Sequence, residues 1–247
     1  MRVIRVYHPD PIQMHRDILL GKAATHHLVN VLRIKAKQNI CLFNGDGKNY
    51  LGHITKVDKR AISVKVTDVS ENHSESPLQI RLVQAVSRGD KMDYTLQKAI
   101  ELGVTEICPV VSERCGVRLS AERWAKKEVH WQHIIISACE QSGRSTIPTM
   151  HPVCSLEDYM ENFDKDGFPH IALSPRGSEK LTELSLSNQK HIGIFIGPEG
   201  GFSDAEEKQL SSLPYSKTIS FGPRILRTET AGLAILSAIQ TIYGDTN

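Results

Sequence analysis

HIGIFIGPEGG at residues 191–201 and KTISFGPRILRT at residues 217–228 repeat one pattern within forty residues. Each is a short apolar, β-branched run that ends in a Gly-Pro turn, and each turn opens into a segment with helical character. A strand that ends in a glycine turn before a helix is the building block of a parallel α/β sheet, whose ligands bind at the carboxyl ends of the strands. Two such ends so close in sequence predict one shared pocket. Gly197, Gly200 and Gly201 let a ligand approach the backbone without Cβ interference, and Pro198 stiffens the turn. Neither G-x-G-x-x-G nor G-x-x-x-x-G-K-[ST] occurs, which argues against a phosphate cradle.

Working outward, the second half of the chain alternates strand and helix. Strands are expected at IRLVQAV (80–86), TEICPVVS (105–112), HIALS (170–174), IGIFI (192–196) and TISFG (218–222). Helices are expected at 92–102, stopped by Gly103, at 121–141 with Trp124, Trp131, Ile135 and Ala138 on one stripe, after the capping box begun by Ser203 and closed by Glu206, and at 229–242 with Thr228 as N-cap. The first seventy residues have a different rhythm. RVIRVY (2–7), NICLFNG (39–45), LGHITKV (51–57) and AISVKVTDV (61–69) alternate with period two between turn signals, as in a small antiparallel barrel. A helix at 23–32 with Leu28, Val31 and Leu32 on one face interrupts it. The polar stretch SENHSESP (70–77) sets the boundary, giving domains 1–72 and 73–247.

Composition narrows the class. The 247 residues are 40% apolar and 23% charged, with no apolar run of membrane-spanning length and no secretory signal. Five scattered cysteines without a C-x-x-C pair predict reduced thiols in a cytoplasmic protein and no metal site. Residues 1–73 hold 12 Lys and Arg against 6 Asp and Glu, whereas the remainder is acidic, 18 against 22. That asymmetry fits an N-terminal domain facing nucleic acid.

QKAIELGV (97–104), EQSGR (140–144), IGPEGGFSDAE (196–206) and LRTETA (226–231) together resemble the RsmE family, the small-subunit ribosomal RNA uridine N3-methyltransferases of the SPOUT class. HHLVNVLRIK (26–35) and LFNGDG (42–47) look like that family's PUA-like RNA-binding barrel. The resemblance covers nearly the whole chain, with two departures: AKQN (36–39) replaces a Gly-Asp turn, and Ile100 stands where Thr is common.

The resemblance implies a knotted, mainly parallel α/β sheet with helices on both faces, a deep trefoil knot, a homodimer, and S-adenosylmethionine bound beside the dimer interface. It places cofactor contacts on Leu173, on Ile196, Gly197, Pro198, Glu199, Gly200 and Gly201, on Phe221 and Gly222, and on Ile225, Leu226, Arg227 and Thr228. Its substrate is N3 of one uridine in the decoding region of 16S ribosomal RNA in the small subunit. Arg227 and Glu229 are the catalytic candidates: a cation to stabilise the uracil anion and a carboxylate to orient it or take the N3 proton. Arg2, Arg5, Arg33, Lys35, Arg88, Lys91 and Arg144 are the candidates for RNA contact. A SPOUT enzyme acting on a ribose 2′-hydroxyl and an RNA-binding assembly factor remain alternatives.

Overall fold

The structure, a computed structural model, describes residues 3–58, 61–162 and 167–246. It divides into two compact units, residues 1–75 with 136–147 and residues 76–135 with 148–247. Nothing in the sequence pattern marks 136–147 as part of the first unit.

In the first unit, β1 (Ile4–Tyr7), β2 (Asp17–Leu19), β3 (Asn39–Phe43), β4 (Lys48–Val57) and β5 (Ile62–Glu71) form one sheet in the order β1-β3-β4-β5-β2. Period-two alternation delivers its core: Ile62, Val64 and Val66 are fully buried along β5, while Lys65 and Thr67 face outward. One pairing departs from the antiparallel expectation, because β1 runs parallel to β3. The β3–β4 turn uses the left-handed freedom of Gly45 (φ +96°) and Gly47 (φ +82°), and the Asn44 and Asp46 side chains accept from the Asp46 and Lys48 amides. The expected helix at 23–32 is α1 (Lys22–His26) followed by a π-helical turn at His27–Val31, where the Leu32 amide bonds back to the His27 carbonyl. That wider turn breaks the expected apolar face. Leu28 is fully buried, but Val31 and Leu32 point to solvent.

In the second unit, β6 (Gln79–Ala85), β7 (Glu106–Val111), β8 (Thr149–Met150), β9 (Cys154–Ser155), β10 (His170–Leu173), β11 (His191–Ile196) and β12 (Ser216–Ile219) form a parallel sheet. The order is β12-β10-β11-β6-β7-β8, with β9 also on β7. Thus β11 lies between β6 and β10, two strands that precede it in the chain. The helices of this unit are α2 (Asp90–Glu101), α3 (Ala121–Ser142, whose last turns count with the first unit), α4 (Leu156–Glu161), α5 (Asp204–Ser212) and α6 (Thr228–Tyr243). Gly103 (φ +83°) ends α2 as expected. The capping box of α5 is complete, with Ser203 Oγ accepting from the Glu206 amide and Glu206 Oε2 from the Ser203 amide. Residues 192–196 of β11 are fully buried or nearly so, which explains why that strand is apolar throughout and does not alternate. Trp131 on α3 is buried and its indole N–H reaches Asp93 Oδ1 at 3.1 Å. No helix of the described residues is long and apolar enough to cross a membrane.

Candidate active site

The site is built at the carboxyl ends of β10, β11 and β12. Past Ile219, Gly222 takes a left-handed turn (φ +76°), so Phe221 and Gly222 lie in a loop and not in the expected strand. Past Ile196, the Gly197–Phe202 loop folds tightly on itself: the Gly201 amide bonds to the Pro198 carbonyl, and Gly201 has φ +68°. A Cβ at Gly197 would fall 3.1 Å from the Phe202 nitrogen, a tight approach that the loop backbone would have to yield to accommodate.

These loops and the end of β10 enclose a cavity of about 350 Å³. Of the residues expected at the cofactor, Leu173, Ile196, Gly197, Pro198, Glu199, Gly200, Gly201, Phe221, Gly222, Ile225, Leu226 and Thr228 all line it. Arg227 does not. It is the N-cap of α6, with an exposed side chain that makes no capping bond. Thr228, expected as the cap, is instead the first helical residue. Its hydroxyl donates to the Gly197 carbonyl at 2.6 Å and accepts from Gln84 Nε2 at 3.0 Å. Gln84 is fully buried on β6, and its Nε2 also donates to the Ala85 carbonyl. Glu229 stands in the first turn of α6; its Oε2 is buried and has no hydrogen-bond partner. Among the described residues no ion pair joins Arg227 to Glu229.

The sequence missed the outer supports of the loop. Arg114 Nη1 donates to the Gly200 and Phe202 carbonyls at 3.3 and 3.1 Å. The carboxylate of the capping-box Glu206 also accepts from the Glu113 amide at 2.7 Å. Ser174 Oγ donates to Glu207 Oε1 at 2.6 Å at the cavity wall. No local pattern signals these partners, because each lies on a different strand end. Burial works to raise the carboxyl of Glu199, but the amides of Arg88 and Glu199 itself, with the Lys91 ammonium 3.4 Å away, outweigh it and hold the group below its ordinary 4.5. Ile225 is 86% exposed at the cavity rim, a large apolar side chain without cover.

The basic candidates separate. Arg2 lies outside the described residues. Arg5 donates to Asn49, Ser145 and the Arg144 carbonyl, all within the first unit. Arg144 is 3% exposed and makes a two-pronged ion pair with Glu75. Both guanidiniums are engaged inside the first unit, which argues against either as a free RNA contact. Arg33 and Lys35 are exposed, as is Arg88, and Lys91 is half-buried.

Comparison with known proteins matches two consecutive regions of the chain. Residues 74–240 match the model of an RNA methyltransferase domain, and residues 20–67 that of an RNA methyltransferase PUA domain. The ribosomal RNA small subunit methyltransferase E of Buchnera aphidicola (subsp. Schizaphis graminum) is 34% identical over 99% of this chain and 98% of its own length. A crystal structure of the ribosomal RNA small subunit methyltransferase E of Neisseria gonorrhoeae bound to S-adenosyl methionine is 40% identical, covers 100% of both chains and superposes with a TM-score of 0.91. A Legionella pneumophila protein solved with the bound cofactor SAM is 38% identical over 99% of this chain and 100% of that one, with a TM-score of 0.94. The chain therefore belongs to the RsmE family of ribosomal RNA small subunit methyltransferases.

Proposed function

We propose that this protein uses S-adenosylmethionine to methylate N3 of one uridine in the decoding region of 16S ribosomal RNA, as a knotted cytoplasmic homodimer whose residues 1–72 bind RNA and whose residues 73–247 carry out transfer. The observation that carries the reading is the single cavity formed by both glycine turns, in a chain that aligns end to end with a relative bound to this cofactor. The residues fit it. A cavity of about 350 Å³ is within the range of small-ligand sites. Its walls combine apolar Leu173, Ile225 and Leu226 with backbone N–H and C=O groups of the glycine turns, which suit an adenine edge. Insertion of β11 between β6 and β10 supports the knot, five free cysteines support a reducing compartment, and exposed Ile242 offers surface to a second copy.

Bound S-adenosylmethionine would supply the methyl group: its carbon is the electrophile, and as the bond to it breaks the sulfonium sulfur departs as a neutral thioether. The protein's task is then the nucleophile. Uracil N3 is protonated at neutral pH and sits on the pairing edge, so the base must be unpaired before it is reached. Arg227, exposed at the start of α6, is the candidate cation to stabilise the charge that the uracil oxygens gain. Glu229, two residues on, is the candidate to orient Arg227 or take the N3 proton; its Oε2 is buried without a hydrogen-bond partner, and it is not among the residues that line the cavity.

The test is a methylation assay on purified small subunits and on bare ribosomal RNA, followed by mapping of the product. The expected product is N3-methyluridine at one site. Methylation of a ribose, or no transfer to either substrate, overturns the reading.

A further inference from the structure

Beside the cofactor cavity lies a second cleft of about 500 Å³, lined by Arg88, Lys91, Arg114, Gly116, Glu199 and Gly200. The two hollows share Glu199 and Gly200 as their wall. Three cations face one carboxylate there, so the cleft carries a net positive charge. The carboxylate does not use it up. Glu199 Oε1 accepts from the Arg88 amide at 3.1 Å, and Lys91 Nζ stands at 3.4 Å from the same oxygen, a long contact for an ion pair. Arg114 uses only Nη1 on the Gly200 and Phe202 carbonyls, leaving its other N–H groups available.

Arg88 is the telling residue. Among the described residues its guanidinium has no hydrogen-bond or ion-pair partner, though its amide is engaged. It is laid against Gly116: a Cβ on that glycine would fall 2.1 Å from Arg88 Nε and 2.3 Å from Nη2. A five-donor planar group thus lies flat against the bare face of Gly116, with no partner among the described residues. Guanidinium forks of this kind match the oxygens of a phosphate.

We propose that this cleft is a phosphodiester subsite: Arg88, with Arg114 and Lys91, grips a backbone phosphate of the RNA next to the nucleotide being methylated. The assignment rests on the function proposed above, because only an RNA substrate brings a phosphodiester to the far side of the wall formed by Glu199 and Gly200. The phosphate positions the strand and reads no sequence. As it enters, it offers Lys91 a second anion besides Glu199, so substrate arrival is felt at the loop that lines the cofactor cavity.

The experiment compares full-length wild type with Arg88→Ala, Arg88→Lys and Gly116→Ala. The last leaves Arg88 intact but displaces its flexible tip, so it separates the position of the charge from its presence. Binding of a short fluorescent single-stranded RNA from the mapped site is measured over a salt series, with S-adenosylmethionine affinity by calorimetry and steady-state kinetics in parallel. Expected for Arg88→Ala and Gly116→Ala are a several-fold higher KM for RNA, unchanged kcat and cofactor affinity, and a salt slope flatter by about one. Arg88→Lys should recover part of the slope. Wild-type KM and slope in both variants would overturn the subsite. So would displacement of the RNA by inorganic phosphate at matched ionic strength, which would mark a site for free anions. If wild type methylates RNA and the variants match it, the subsite fails alone. If wild type methylates nothing while the variants still lose slope, the phosphate site stands and the proposed reaction fails.

Discussion

Thr228 Oγ donates a 2.6 Å hydrogen bond to the carbonyl of Gly197, across 31 residues of chain. One hydroxyl thereby fastens the start of α6 to the glycine loop that follows β11, and Gln84 fastens the hydroxyl to β6. Gln84 and Thr228 are buried and Gly197 is half-buried, so water does not readily replace a missing member on the Gln84 side.

Replacing Thr228 by Val keeps the shape and removes the hydroxyl. It leaves the Gly197 carbonyl and a Gln84 donor unsatisfied, at a cost of about 1–3 kcal/mol, or several degrees in Tm for a chain of this size. Cofactor affinity should fall together with Tm. Thr228→Ser, which retains the donor, should restore most of both in thermal melts and calorimetry.

Ile225 offers the opposite case. At 86% exposure it contributes little to folding, so Ile225→Ser should leave Tm unchanged. If ligand covers the side chain, the same substitution should weaken S-adenosylmethionine binding about tenfold, since burying a large aliphatic side chain contributes roughly 1.5–3 kcal/mol. Titration calorimetry on a variant with a normal melt decides it.

Arg227→Ala should abolish turnover while cofactor affinity changes by no more than a few-fold, because Arg227 does not line the cavity. Glu229→Gln should also lose turnover. Single-turnover assays with saturating cofactor separate these outcomes from weakened binding.

Two carboxylates give opposite dependences on pH. Glu199 is held below 4.5, so it adds stability above that pH, and the contribution is lost as pH falls through its lower folded value. Glu140 is held above 4.5, chiefly by burial and against the Tyr7 amide that donates to it. Its charged form is disfavoured in the fold, so its relative contribution is present below 4.5 and disappears as pH rises through the raised value. Thus Glu140→Gln should raise Tm at neutral pH and match wild type at strongly acid pH. Glu199→Gln should lower Tm at neutral pH and likewise converge on wild type in acid. Melts across a pH series read both signs.

Much of the site was legible in the chain. Gly201 and Gly222 announce turns because glycine adopts their left-handed conformations at least cost, Gly197 and Gly200 because a Cβ there is tightly approached, and Ser203 and Glu206 announce a cap because both partners lie within one turn. Local rules failed where the neighbour was distant. Thr228 reads as a cap from its position before a helix, but Gln84 and the Gly197 carbonyl compete for its hydroxyl and win. Arg144 reads as a surface cation, but Glu75 draws it into the interior. Val31 and Leu32 read as core at a period of 3.6 residues, which the π-helical turn does not keep.

The sequence by itself determined the class of sheet, the two turn chemistries and the family, because strand periodicity, glycine placement and helix caps are set by residues within a few positions of one another. Only the tertiary structure decided which side chains close the cavity the two turns share, that Arg114 braces it from outside, and that the Arg88 guanidinium beside it has no partner among the described residues. Those relations join residues tens of positions apart, and their energy depends on the order in which parallel strands are laid side by side, which no local pattern encodes.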